Sequence, residues 1–171
     1  MNELPHPDHQ HLEAAEGWLG LGNWREASLE LAQIQPQFRT HPLVLEIRYK
    51  IHAEAKQWDR AVAVAQEVRD QQPNDLWGHF YTAYAQHELK HTLAAYDTLK
   101  AVVAKYPEDY LIRYNLACYA CQLGRLDEAM RWLKLAMDLA GKRNLTQSAL
   151  EDPDLKPLWP QIRRRTPESR S

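Results

Sequence analysis

The chain has 171 residues, a formal net charge of −2, six glycines and two cysteines. This length suits one domain, and a composition with few glycines and many good helix formers favours helix over sheet. The near-balanced charge gives no electrostatic reason to expect nucleic-acid binding, which depends on clustered Lys and Arg. No apolar run approaches the roughly 18 residues needed to cross a bilayer, and the first residues lack a secretory signal pattern. The sequence therefore predicts a soluble, cytoplasmic protein that binds neither nucleic acid nor membrane.

Helices are predicted in pairs along the chain. The pairs span residues 9–21 with 24–36, 43–55 with 58–71, 76–89 with 92–105, and 110–122 with 126–141. Turns within the pairs are predicted at Gly22-Asn23, Gln57, Lys90-His91 and Gly124. Between pairs, Pro73 and Pro107 cannot continue a helix, and the Asn and Asp residues that follow them can cap the next one. This punctuation indicates successive antiparallel helix hairpins.

A period of 34 residues runs through these pairs. Its clearest members are four alanines at matching positions, Ala27, Ala61, Ala95 and Ala129. Where two helices cross, a small side chain lets the backbones approach to about 8–10 Å. A recurring alanine at this spacing is typical of stacked helical hairpins.

With this period, the chain resembles the tetratricopeptide repeat (TPR) family over roughly residues 8–143. The closest local match is Gln-Leu-Gly-Arg-Leu-Asp-Glu-Ala at 122–129, and the first repeat fits through Gly22, Trp24 and Ala27. Repeat three departs most, because Lys90 replaces the turn glycine and Thr92 the expected large residue. The resemblance implies an all-α, right-handed TPR superhelix (α-solenoid) of antiparallel helix hairpins, with repeats at 9–42, 43–75, 76–109 and 110–143.

The segments that flank the repeats have different predicted roles. Residues 1–8 are expected to be a flexible N-terminal segment, and residues 166–171 a disordered tail. Residues 144–165 are expected to form a C-terminal capping helix that begins at Asp152 and Pro153, because a stack of hairpins leaves its last apolar face open. The apolar residues of this helix recur at helical spacing, at Leu155, Leu158, Trp159 and Ile162. Docking into a partner or into the protein's own groove is the alternative for this segment.

The TPR resemblance implies that the first helix of each repeat lines a concave groove. At the family's groove positions, the third and fourth repeats carry an aromatic cluster with one amide, and the second repeat carries two charged residues. These candidate peptide-groove residues are Trp77, Phe80, Tyr81, Tyr84, Tyr114, Asn115, Glu46 and Lys50. Large aromatic side chains with phenol and amide groups suit recognition of a peptide. Packing between neighbouring helices is the alternative for each aromatic residue.

The predicted function is a non-enzymatic adaptor or scaffold that binds a protein partner, as a peptide or helix, in this groove. No nucleophile motif, phosphate loop or carboxylate pair indicates an enzyme, and no cofactor is predicted. One alternative is a dedicated chaperone for a secreted protein, similar to the TPR chaperones of type III secretion translocators. Another is a self-associating structural protein, through Trp18, Leu19 and Leu21. The expected state is a monomer or a weak homodimer.

Two further ligand classes are disfavoured residue by residue. TPR proteins that bind heat-shock chaperone tails use Lys, Asn and Arg at five clamp positions. The corresponding positions here hold Leu12, Glu16, Ile47, Trp77 and Tyr81, or, one repeat later, Glu46, Lys50, Tyr81, Leu111 and Asn115. Neither set suits two carboxylates. Cys118, Cys121, His87 and His91 have spacings compatible with zinc, but without a second Cys pair we predict no metal site and interpret both cysteines as packing residues.

Overall fold

The computed structural model of the chain describes residues 4–140 and 145–165. Within these ranges every regular element is a helix, which confirms the predicted all-α class. The α-helices are α1 (His6–Gly20), α2 (Trp24–Gln33), α3 (Pro42–Glu54), α4 (Trp58–Gln71), α5 (Leu76–Glu88), α6 (Thr92–Lys100), α7 (Tyr110–Gln122), α8 (Leu126–Ala140), α9 (Leu145–Glu151) and α10 (Trp159–Arg165). Short 3₁₀ helices lie at Pro36–Phe38, Val103–Lys105 and Pro153–Leu158. None of the described helices combines the length and apolarity needed to cross a membrane.

The chain divides into two compact units, Met1–Leu89 and Lys90–Ser171. In the first unit, α1 packs on α2, α3 on α4, and α5 on α4. In the second unit, α7 packs on α6 and α8, and the 3₁₀ helix Pro153–Leu158 packs on α7. The boundary falls inside the third predicted repeat, between its two helices.

The turns within the hairpins share one geometry. Gly22, Lys56, Lys90 and Gly124 all have positive φ, between 54° and 74°, and stand 34 residues apart. At the first of these turns, the Gly22 N–H donates to the Leu19 carbonyl and the Asn23 N–H donates to the Trp18 carbonyl, each at 2.9 Å. This pair of hydrogen bonds is the Schellman motif. In this motif a residue in left-handed conformation ends the helix, and the N–H groups that follow the helix bond to its last carbonyls. The 34-residue period of the sequence therefore corresponds to a left-handed turn that recurs once in each repeat.

The repeating alanines lie in the interior. Ala27, Ala61, Ala95 and Ala129 are all fully buried. In the first unit, Ala27 belongs to a core cluster with Leu31, Val44 and Ile47, and Ala61 to a second cluster with Leu45 and Val64. The side chains at these positions are small because they lie inside packed helix contacts.

Several helix limits differ from the expected ones. Helix α2 ends at Gln33 instead of residue 36, because Pro36 excludes helical conformation from the residue before it; Gln35 is extended, with ψ of 142°. Helix α6 ends at Lys100 instead of residue 105, ahead of the adjacent β-branched pair Val102 and Val103. These changes lengthen the connections between repeats without shifting the period.

The chain ends also differ from the expectation. Helix α1 begins at His6, inside the segment predicted to be flexible, and Asp8 is buried there. The Asp8 carboxylate accepts hydrogen bonds from the Gln35 N–H at 2.7 Å and from Gln35 Nε2 at 2.8 Å. These two bonds join the first turn of α1 to the chain beyond α2. Residues 1–3, 141–144 and the predicted tail 166–171 lie outside the described residues.

Instead of one capping helix, residues 145–165 form α9, a 3₁₀ helix and α10. Pro157 and Pro160 have no backbone N–H to donate, which favours short helical pieces over one long helix. Asp152 caps the 3₁₀ helix, as expected from the Asp-Pro pair, by accepting the Asp154 N–H at 2.9 Å. The apolar side chains Leu155, Leu158 and Ile162 are buried.

Candidate functional site

Helices α3 and α5 position the residues of the candidate site in the first unit. Helix α5 begins where the Asp75 carboxylate accepts the Trp77 N–H at 3.1 Å. Helix α3 begins with Pro42 in its first turn, where proline is already in a helical conformation, and the His41 ring accepts the Leu43 N–H. These caps fix the helix starts, and with them the faces on which Glu46, Lys50 and the α5 aromatic residues lie.

The aromatic residues of α5 form one cluster with Tyr49 of α3, which we call the aromatic ledge and which comprises Tyr49, Trp77, Phe80 and Tyr81. The Tyr81 ring lies 4.4 Å from both the Tyr49 and Trp77 rings, and 5.8 Å from the Phe80 ring, between centroids. Trp77 and Tyr81 also pack on the core cluster of α3 and α4. The ledge is thus joined to the core on one side.

Tyr49 was not among the residues predicted for the site. It is buried, and its hydroxyl donates to the Tyr81 carbonyl at 3.2 Å. Burial, followed by the nearby Tyr81, Tyr84 and Glu88, raises the pKa of Tyr49 well above its usual value. A sequence signal existed, because Tyr49 is the one large residue in a column that otherwise holds the buried alanines Ala15, Ala83 and Ala117 at intervals of 34.

Tyr84 lies one helical turn beyond the ledge and is the most exposed of the predicted aromatic residues, at 40%. Its ring meets the Trp58 ring edge to face, with centroids 5.9 Å apart. Trp77, Phe80 and Tyr81 are half-buried. All four residues therefore remain partly in contact with solvent, while their rings also pack against other aromatic rings of the first unit.

The predicted charged residues form an ion pair beside the ledge. Lys50 Nζ lies 2.7 Å from Glu46 Oε1, one turn away on α3. Burial acts to lower the pKa of Lys50, but the hydrogen bond and charge of Glu46, with Tyr81 and Glu16, outweigh it, so the pKa is raised. Since Glu16 is on α1, the side chains of three first helices act on one another here.

Tyr114 and Asn115 lie in the second unit, on α7. The Tyr114 hydroxyl donates to Asp152 Oδ2 at 3.0 Å, and the Cys118 thiol lies 3.5 Å from the same oxygen. Gln122 Nε2 donates to the Asp154 carbonyl at 2.8 Å. The Asn115 amide donates within its own helix, to the Leu111 carbonyl at 2.9 Å. The C-terminal segment therefore covers predicted groove positions of α7.

The residues considered for zinc do not form a metal-binding group. Among the described residues, no three His, Cys, Asp or Glu side chains are arranged to hold a metal ion. Cys118 and Cys121 are free and buried on α7, His91 is exposed in the same unit, and His87 is buried in the first unit. Burial, followed by the charge of Asp154, raises the pKa of Cys121 to about 11, so this thiol stays protonated at neutral pH.

No protein-family model matches the chain, and no curated protein matches its sequence. Solved structures of MamA share its fold. MamA 41-end from Desulfovibrio magneticus RS-1 has a TM-score of 0.73 and 19% identity, over 95% of this chain and 96% of that chain. A double mutant of RS-1 MamA has a TM-score of 0.72 and 20% identity, over 95% and 97% of the two chains. For MamA of MSR-1 the TM-score is 0.67 and the identity 17%, over 83% and 82%. With these structures and its 34-residue period, the chain has a TPR-type helical-repeat fold.

Proposed function

We propose that the chain is a non-enzymatic protein-interaction module whose first unit binds a peptide, extended or helical, along the face made by α1, α3 and α5. The observation that carries this proposal is the set of four α5 aromatic residues, Trp77, Phe80 and Tyr81 of the ledge and Tyr84 beyond it, all of which are partly exposed to solvent. Partly exposed aromatic rings on a rigid helical support are the usual anchors of protein interfaces.

Rigidity favours this surface as a binding site. The Tyr49 hydroxyl bond and the ring contacts of Tyr81 hold the ledge in one arrangement before a partner arrives. A ligand therefore orders few side chains on binding, which lowers the entropic cost of association. A peptide that buries one apolar side chain on this surface would gain about 1.5–3 kcal/mol of binding free energy. Two or three such anchors are enough for an affinity around the micromolar range.

Charge defines the flanks of the peptide. Glu16 and Glu46 act on Lys50, and Glu88 acts on Tyr49. Two carboxylates thus act on the Lys50 ammonium group, which is already paired with Glu46, and a third, that of Glu88, acts on the ledge at Tyr49. We propose a partner whose large apolar residues are flanked by Lys or Arg, because complementary charge speeds encounter and excludes acidic competitors.

Selection from a random peptide library displayed on phage tests this function. Enriched peptides should carry aromatic or aliphatic anchors with basic flanks, and a matched peptide with Glu flanks should bind at least tenfold more weakly. Tyr84→Ala should weaken binding by about 1–3 kcal/mol. The control Leu29→Ala removes another exposed apolar side chain, on α2, and should leave affinity unchanged. Equal losses from both variants, or no enrichment, would refute the proposal.

Self-association is a second candidate, supported by the end of α1. Trp18 is 37% exposed and Leu21 is 77% exposed, whereas Leu19 packs on the core. Two large apolar side chains so close in sequence favour a weak contact between copies. Sedimentation equilibrium should show a dimer that Leu21→Asp abolishes; a monomer at all concentrations would exclude this role.

A further inference from the structure

A second concave site lies in the first unit, between α2 and α3. It is an open cavity of about 260 Å³, which we call the arginine pocket, lined by Ser28, Leu31, Ala32, Arg39, Arg48, Ile51 and His52. None of these residues belongs to the aromatic ledge. Two guanidinium groups, one imidazole and one hydroxyl are thus brought to one small site.

The helix ends orient both arginines. Arg39 donates through Nε to the Ile34 carbonyl at 3.0 Å and through Nη2 to the Ala32 carbonyl at 3.2 Å. Arg48 donates through Nη2 to the Arg39 carbonyl at 2.8 Å. These bonds use part of each guanidinium, which has five N–H donors. The bonds to backbone carbonyls orient each guanidinium and leave its other N–H donors outside these contacts.

The positive charge of the pocket is incompletely balanced. Among the described residues neither arginine forms an ion pair, and both lie within the same cavity lining. Burial lowers the pKa of His52, and together with the charges of Arg60 and Arg48 it outweighs the opposing hydrogen bond of the ring to the Gln57 amide oxygen. Burial also lowers the pKa of Arg48, and Glu67 is the carboxylate that opposes this effect. Like charges that repel one another in a partly buried site favour binding of an anion.

We propose that the arginine pocket is a binding site for a phosphate group, held by the guanidinium groups of Arg39 and Arg48 with the Ser28 hydroxyl. Guanidinium groups match the geometry of phosphate oxygens with paired, charge-assisted hydrogen bonds. The volume lies just below the approximately 300–1,000 Å³ of drug-sized ligand pockets, which favours a compact anion. The phosphate comes either as the free inorganic ion or as a phosphate monoester on a small molecule.

Titration of the intact chain by heteronuclear NMR, at constant ionic strength maintained with chloride, tests this site. Inorganic phosphate, phosphoserine and acetate are the three probes. Phosphate or phosphoserine should give saturable shifts at Ser28, Arg48 and His52, and the tighter of the two identifies the source. Acetate should bind at least about tenfold more weakly, since it has one charge and fewer acceptor oxygens. Equal binding of acetate, or shifts that never saturate, would overturn the proposal.

Variants separate a built site from general surface attraction. Arg48→Met keeps an apolar stem and should weaken phosphate binding by about 10–100-fold, as expected for loss of a charged hydrogen-bond donor. Glu67→Gln removes the opposing charge without altering the pocket lining, and should strengthen binding by roughly twofold to fivefold. Arg25→Met is the matched control, because Arg25 lies over the Trp24 ring and is not part of the lining. If Arg48→Met fails to fold, the Glu67→Gln arm still decides, and equal affinity in Glu67→Gln and Arg25→Met would overturn the proposal.

Discussion

At the scale of single residues, close packing decides which side chains the fold accepts. Gly78 lies where α5 meets α4, and a Cβ added there would come within 3.0 Å of the Arg69 backbone nitrogen and 3.2 Å of its Cα. The Thr82 hydroxyl also donates to the Gly78 carbonyl at 2.7 Å. Helix α5 therefore packs closely against α4 at Gly78, one residue after Trp77 of the aromatic ledge.

We expect Gly78→Ala to destabilise the chain by about 1–3 kcal/mol, because the backbone of Arg69 has to move away from the new methyl group. Gly17→Ala is the control, since Gly17 is in helix α1 and has nothing within 4 Å of its added Cβ. It should stabilise by roughly 0.5–1 kcal/mol through helix propensity. Urea unfolding of both variants measures the difference, and loss of stability in neither variant would contradict the close contact.

The cysteines should be unreactive in the folded chain. The pKa of Cys121 is raised from an ordinary 9.0 to about 11, and that of buried Cys118 is also raised, first by burial and then by Asp152. Because only the thiolate reacts, alkylation of Cys121 at pH 8 should be about a hundredfold slower than in guanidinium chloride. Timed iodoacetamide labelling with mass spectrometry measures both rates; equal rates would show that the thiols are exposed.

At the scale of elements, the hairpin turns explain how lysine can replace glycine in the repeat. Lys56 has φ of 54° and Lys90 has φ of 67°, the same left-handed region as Gly22 and Gly124. The hydrogen bonds at Lys56 repeat those at Gly22, from the Lys56 N–H to the Ala53 carbonyl and from the Gln57 N–H to the His52 carbonyl. Left-handed backbone costs a residue with a Cβ about 1–2 kcal/mol. The packing of the flanking helices outweighs this strain.

Lys56→Gly should therefore stabilise the chain by about 0.5–1 kcal/mol, after the extra entropy that glycine gives the unfolded state is subtracted. The reverse change, Gly124→Ala, should destabilise by a similar amount. A lysine in ordinary helical conformation is the control: Lys134→Gly, on the exposed side of α8, should cost roughly 1 kcal/mol. Chemical denaturation compares the three, and a loss of stability in Lys56→Gly would show that the turn is unstrained.

The carboxylate of Asp152 should hold the C-terminal segment on α7. It caps the 3₁₀ helix and accepts the Tyr114 hydroxyl bond. Asp152→Ala should lower stability by about 1–3 kcal/mol, as expected for loss of a cap and a charged hydrogen bond. Hydrogen exchange should accelerate in residues 153–165, whereas Asp138→Ala on the exposed side of α8 should change neither quantity. Unaltered exchange in the Asp152 variant would show that apolar packing alone holds the segment.

Local patterns in the sequence predicted the helices well, but they predicted the tertiary contacts of individual side chains less well. The alanine period and the turn positions gave the eight repeat helices, because small residues at crossings and left-handed turns leave a local signature. The partners of Tyr114 could not be predicted in this way. Its hydroxyl bond depends on Asp152, which is 38 residues further along the chain and meets α7 through tertiary packing that leaves no local pattern in the sequence.

At the scale of the whole molecule, the compact units do not follow the repeats. The 34-residue period ends repeat two at residue 75, but the first unit continues through α5 to Leu89. The reason is in the core, where Trp77, Tyr81 and Ala85 of α5 pack with residues of α3 and α4. Helix α5 thus covers the open face of the second hairpin, as a terminal cap does in a helical-repeat protein.

A fragment that ends at residue 89 should consequently fold on its own, whereas one that ends at residue 75 should be much less stable. Without α5, Tyr49, Val64 and Val68 lose part of their packing, and the burial of Trp77 and Tyr81, about 1.5–3 kcal/mol each, is lost. The shorter fragment should therefore melt at least about 10 °C below the longer one. Circular dichroism melts of both fragments measure this, with sedimentation to detect association through the exposed face. Equal melting temperatures would place the stabilising boundary at the end of the repeat and remove α5 from the support of the first unit.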